Sequence, residues 1–229
     1  MRPSTAAIAY PIAGDAAERP LLAVWLLFAV SVVVPVLPAL PVVGYLVRVL
    51  AASERGDALP PFLADGRSLV RQSVGGVLAC LAFLGVPFAA LLVTVYGVVT
   101  LTPGANAPVG RVLVGSTAVL FAALVGLYLL PVSLAAYGRN GSLRGALSIG
   151  ALRPVAGHAA YFFGWTLGVT ALVVAVGVGG ALFTVTRIGP LFGTFVLAYG
   201  VLVAAYLWGR AIERAKRRSA ESTSTGADR

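Results

Sequence analysis

Three polar side chains in this 229-residue chain have the types needed for shared proton chemistry: Asp57, Asp65 and His158. A carboxylate orienting an imidazole, with a second carboxylate as acid or base, works only when all three lie within hydrogen-bond reach. Here they are scattered, and the familiar catalytic patterns are missing. One His rules out H-E-x-x-H zinc chemistry, and one Cys, Cys80, rules out cysteine clusters and an intrachain disulfide. No G-x-S-x-G elbow and no phosphate loop ending in Gly-Lys is present. The sequence predicts no enzyme, no catalytic residue, no metal ligand and no cofactor. The enzyme alternative requires Asp57, Asp65 and His158 to converge.

The remaining charges follow the pattern of the elements that carry them. The chain is 59% hydrophobic and 11% charged, against roughly 25% charged in ordinary soluble domains. Charge-free runs cover 20–47, 72–110, 112–138, 154–186 (with one His) and 188–209. Each exceeds the ~20 residues that cross a ~30 Å hydrocarbon core. Such long blocks predict an all-α, polytopic transmembrane bundle rather than a β-barrel, whose segments are ~10 residues of alternating polarity. On such a chain the net charge of +9 reads as basic residues at cytoplasmic helix ends, and not as a nucleic-acid footprint.

The first run is too long for one upright span and too short for two. Pro35, Pro38 and Pro41 recur every third residue in its second half, and interior prolines break helices. The prediction is therefore two short helices, roughly 21–34 and 41–53, forming a hairpin; a single kinked span is the alternative. Residues 57–72 read as a loop and a helix lying in the interface. Further helices are expected over about 74–101, 112–136, 158–184 and 191–210, with kinks at Pro87 and Pro131. The count is six, or five with the kinked span. Residues 1–20 read as a charge-neutral polar lead-in without the basic start of a cleavable signal. Residues 21–215 form one membrane domain, and 216–229 a disordered polar tail. Segment 48–71 carries four Arg, 139–153 three, and 210–218 four plus Lys216, while 35–41, 102–111 and 184–190 carry zero, one and one. That alternation predicts a multi-pass protein of the cell membrane with all three basic segments and the C-terminus in the cytoplasm.

Candidate contacts follow. Arg48, Arg55, Arg67, Arg71, Arg139, Arg144 and Arg153 are placed to meet anionic lipid headgroups or a membrane protein partner, with solvated loop charge as the plainer reading. Arg48 has Glu54 and Asp57 as alternative partners. Gly164, Gly168, Ala175 and Gly179 make one small-residue face, and Gly115, Ala118, Ala122 and Gly126 another. Such faces allow close helix packing, within the chain or across a homo-oligomer. The aromatics of YFFGW, 161–165, with Tyr206 and Trp208, are expected as interface anchors. Ser116, Thr117, Thr166 and Thr170 either line a polar path or bond to helix backbone. A polar path would make the chain a small uncoupled permease. A solid apolar core would make it an accessory or interaction protein.

The stretch GYLVRVL, followed by a short charged segment and LPPF, resembles the archaeal, mostly haloarchaeal, membrane proteins grouped as domain of unknown function 4013. The matching positions are Gly44, Tyr45, Arg48, Pro61 and Phe62. AIAYPIAGD, 7–15, and LYLLPVSLAAYGRNGSLRGAL, 127–147, resemble its lead-in and second recurrent block; the resemblance spans roughly 7–215. The linker here is less acidic than the family pattern. The resemblance implies an integral membrane protein with no assigned activity.

Overall fold

The computed structural model describes residues 3–13, 18–32, 34, 38–57, 59–61, 66–101, 109–185 and 187–227, and every regular element among them is helical. A short helix α1 (Pro3–Ala9) leads into α2 (Glu18–Ser31) and α3 (Ala39–Arg55). Next, α4 (Gly66–Cys80) passes through a π turn, Leu81–Gly85, into α5 (Val86–Leu101). Then come α6 (Val109–Asn140), the small helices α7 (Leu143–Ala146) and α8 (Ile149–Ala156), α9 (Ala159–Leu182) and α10 (Gly189–Ala227). Among the described residues, four helical stretches are long and apolar enough to cross a membrane: Gly66–Val93, Val114–Asn140, Ala159–Leu182 and Gly189–Glu221. The chain is an all-α, multi-pass bundle.

The proline-rich first run does form two helices, α2 and α3. Trp25 on α2 donates its indole N–H to the Leu191 carbonyl at the start of α10 (3.1 Å), whereas α3 ends beside Gly209 of α10. The chain thus runs out along α2 and back along α3. At ~1.5 Å per residue these are short rods, packed on α10 beside the four long helices. Two expected boundaries move. The interfacial helix expected within 57–72 is the opening of the α4–α5 rod, because neither proline nor glycine falls between Gly66 and Gly75 to end it. The residues expected as a polar tail begin as a continuation of α10, which runs to Ala227. Asp65, Phe62, Pro35 and the turn cluster 102–108 lie outside the described residues.

Without a hydrophobic force between helices in lipid, close van der Waals approach must hold them. A Cβ on Gly164 would overlap Ala211, and one on Gly168 would overlap Trp208. One on Gly179 would stand 2.9 Å from the Gly193 carbonyl. The partner numbers fall as the first rise, so α9 and α10 are antiparallel and in contact from Gly164 and Ala211 to Gly179 and Gly193. Gly126 faces the Phe83 carbonyl so closely that a Cβ would overlap it. Phe83 is four residues before Pro87, so its carbonyl lacks the donor that an ordinary residue 87 would bring. The π turn absorbs that break. Gly115, expected on the same stripe as Gly126, faces open space instead, with nothing within 4 Å of its Cβ position.

The YFFGW aromatics are sorted by the second proline break. Pro131 sits inside α6 and cannot donate to the Leu127 carbonyl. Trp165 Nε1 donates to that oxygen at 3.3 Å, and Tyr161 Oη donates to the next carbonyl, Tyr128, at 2.6 Å. Tyr161 is fully buried, so it is a structural donor and not an interface anchor; Phe162 and Phe163 are exposed. An orphan carbonyl is costly in hydrocarbon. Trp165→Phe should therefore lower stability in detergent by about 1 kcal/mol, with a much smaller loss in a Pro131→Ala background, where residue 131 regains its N–H. Thermal unfolding of the four variants checks this; equal losses in both backgrounds would refute the assignment.

Candidate functional site

The three basic segments meet at one end of the bundle. Gly56 ends α3 in the left-handed region (φ +94°), which glycine adopts without strain. The Asp57 N–H bonds the Ala52 carbonyl (3.1 Å) and the Gly56 N–H bonds that of Ser53 (3.2 Å), the paired closure of a Schellman end. The last turn is thereby fixed, and Glu54 points into the bundle. Its side chain is only 5% exposed, and its Oε1 is paired with both Arg139 at the end of α6 and Lys216 on α10. Its other oxygen, Oε2, is buried without a hydrogen-bond partner. A small cavity of 120 Å³ adjoins it, lined by Arg139, Asn140, Leu152 and Lys216 among others. Glu213 repeats the arrangement on α10, paired with Arg210 and Arg217 at 2.6 Å each. The cations reach solvent while the carboxylates do not, as long basic side chains allow.

Arg48 turns away from both expected acids. Its Nε donates to Gln72 Oε1 (2.7 Å) and its Nη2 to Ser68 Oγ (2.6 Å), so it clamps α3 to α4. Gly44 on α3 lies against Ser73 of α4. Tyr45 is fully buried, with its hydroxyl donating to the Pro61 carbonyl at 3.2 Å. Arg55 pairs with Asp57 at 3.3 Å in the open. Arg67, Arg71, Arg144 and Arg153 are exposed. Arg71 and Arg139 border a polar cleft of 230 Å³ with Gln72 and Asn140. Tyr10 beside this end is buried, which pushes its hydroxyl up to about 12. It stays a neutral phenol and offers no base.

The triad Asp57, Asp65 and His158 is not assembled among the described residues: Asp57 is engaged with Arg55, His158 stands at the N-cap position of α9 with no side-chain cap bond, and Asp65 lies outside them. Nor do any three His, Cys, Asp or Glu side chains there come close enough to hold a metal ion. The end of the bundle carries a charge lattice of buried acids and half-exposed bases. Exposed Arg outnumbers the acids there, which leaves that end with a positive surface. Glu213 was not singled out by sequence reasoning, although its i−3 and i+4 spacing to Arg210 and Arg217 was visible.

Residues 27–185, more than two thirds of the chain, match the family model described as protein of unknown function (DUF4013). The chain belongs to that family. The family's match begins within α2 and closes just past α9, so the lead-in 7–15 and α10 fall outside it. No curated protein and no solved structure matches the chain. In this DUF4013 protein, Glu54, Arg48 and Arg139 lie within the matched region, while Lys216 and Glu213 lie beyond it.

Removing the charge of Glu54 leaves two cations without their shared partner. Loss of one member of a fully buried pair costs about 3–5 kcal/mol, and the partial exposure of Arg139 and Lys216 brings Glu54→Gln to about 2–3 kcal/mol. Asp57→Asn, at an exposed pair, should stay within about 1 kcal/mol. Thermal unfolding in detergent measures both; equal effects would show that Glu54 is not a structural link.

Proposed function

We propose that this protein is a non-enzymatic accessory or interaction protein of the archaeal cell membrane, presenting its Arg-rich end to anionic headgroups or a protein partner on the cytoplasmic side. The observation that carries the reading is the convergence of all three basic segments at one end of the bundle through Glu54, Arg139 and Lys216. Basic segments on one side of a multi-span protein are the positive-inside pattern. Arg71, Arg139, Arg144 and Arg153 give that end its anion-binding surface, with Arg67 and Arg55 beside α4 and α3.

The alternative, a small uncoupled permease, needs hydroxyls along a polar path. Thr166 Oγ1 donates to the Phe162 carbonyl and Thr170 Oγ1 to that of Thr166, both at 2.9 Å and both at exposed positions of α9. Those hydroxyls are spent on their own helix, and this favours the interaction reading. Homo-oligomerisation is compatible with it and is open to the same pull-down from native membranes that would identify a partner.

In intact cells, an impermeant thiol reagent should label a cysteine placed at position 105 and leave one at position 140 unlabelled until the membrane is permeabilised. The two variants are Ala105→Cys and Asn140→Cys in a Cys80→Ala background. Labelling at 140 but not at 105 would invert the orientation and overturn the cytoplasmic reading.

A further inference from the structure

Two clefts follow one another along the seam of α1, α9 and α10. The first, of 140 Å³, lies beside Arg210 and Arg214 and has Leu167, Leu207 and Tyr206 as its walls. The second, of 480 Å³, continues down the same two helices past Ala171, Val174, Val178, Phe195 and Val196, and its lining is almost wholly apolar. On α9 the lining steps 164, 167, 171, 174, 178 follow one helical face. Between Arg210 and Val196 α10 rises about 21 Å, more than the ~15 Å from the edge to the midplane of a ~30 Å hydrocarbon core. α1 forms the other wall, held where the Tyr199 hydroxyl donates to the Ile8 carbonyl and where Tyr10 stacks on Tyr206 at 4.2 Å.

The charged and apolar parts are ordered as in an amphiphile. Arg210 and Arg214 stand one turn apart on α10, at the point where its charge-free stretch 188–209 ends. Glu213 takes Arg210 from the other side and also holds Arg217. Arg214 is exposed, and no ion pair engages it among the described residues. The local balance is therefore positive, with a guanidinium available above the trough. Guanidinium binds phosphate through paired N–H donors.

We propose that this seam is a site for one anionic phospholipid, its phosphate at Arg210 and Arg214 and one hydrocarbon tail along the trough of α9 and α10. It rests on the membrane-embedded part of the proposed function, not on its orientation or its partner, and it uses residues outside the Arg-rich loops. Arg210 and Arg214 both line the head of the seam, and Val174 and Val178 are exposed along the trough below them.

The test is a titration of the full-length protein in detergent with dioleoyl phosphatidylglycerol and, separately, dioleoyl phosphatidylcholine, followed by native mass spectrometry. The parent should bind one phosphatidylglycerol in preference to phosphatidylcholine. Arg210→Gln with Arg214→Gln should weaken that binding about thirty-fold, and Arg214→Gln alone about five-fold. Arg214→Gln removes no protein ion pair, so it folds as the parent does and keeps the test decisive if the double variant does not. Val174→Trp, which fills the trough, should weaken phosphatidylglycerol without touching charge. Arg187→Gln removes one exposed charge between α9 and α10, as Arg214→Gln does at the seam, and should leave binding unchanged. Equal weakening in that control would mean diffuse attraction and overturn the site. An effect of the Arg variants without one from Val174→Trp would mean a soluble-anion site and overturn the lipid assignment. If the site fails while the labelling orientation holds, the interaction reading stands without it.

Discussion

A carboxylate taken out of water must be paired, and in this bundle the pairing of Glu54 decides where three helices end. Desolvating one ion costs several kcal/mol, which an isolated interaction at a helix end does not return. Glu54 meets that cost with Arg139 from α6 and Lys216 from α10. The three helices come from distant parts of the sequence. Fixing their ends against one another sets the position of the loops after α3 and α6, and of the long extension of α10. Arg48 adds α4 to the same end through Gln72 and Ser68. The Arg-rich surface is therefore displayed on a braced platform, its outer residues exposed while the inner acids are held by Arg139, Lys216, Arg210 and Arg217.

Along the apolar length, a different constraint governs. In hydrocarbon every backbone carbonyl needs a donor, and Pro87 and Pro131 each remove one. The two breaks are resolved differently. At Pro87 the helix widens into a π turn and Gly126 admits the Phe83 carbonyl to close range. At Pro131 a side chain from α9 supplies the donor, Trp165 to Leu127, and Tyr161 adds a bond to the neighbouring Tyr128 carbonyl. Both devices also join helices, so a local defect in one rod becomes a specific contact with another. The seam of α9 and α10 differs in kind, being held by glycine approach and open toward α1.

Much of this was legible in the residues. Charge-free runs gave the helical membrane class, the three spaced prolines gave the split of the first run, and Gly164, Gly168 and Gly179 gave a face that does lie against α10. The family likeness was visible in Gly44, Tyr45, Arg48 and Pro61. What was not legible depends on three-dimensional partners. Arg48 has two acids within nine residues, yet bonds neutral groups on α4, since helix rotation and not sequence distance decides its reach. Gly115 and Gly126 look alike in sequence, and only Gly126 faces a carbonyl. Tyr161 and Trp165 resemble interface anchors by type, but both donate to carbonyls of α6 beside Pro131. Glu54 and Glu213 look like ordinary loop and helix acids until the ends of α3, α6 and α10 are brought together.

The central claim is that Glu54 and Lys216 couple the end of α3 to α10. A double-mutant cycle on thermal or denaturant unfolding in detergent, with Glu54→Gln, Lys216→Met and both together, measures that coupling without assigning the cost of either change alone. The account predicts a favourable coupling of at least about 1 kcal/mol, because each single change strands the other charge near the bundle. Additivity within about 0.3–0.5 kcal/mol would contradict it, and the convergence of the basic segments would then rest on packing alone.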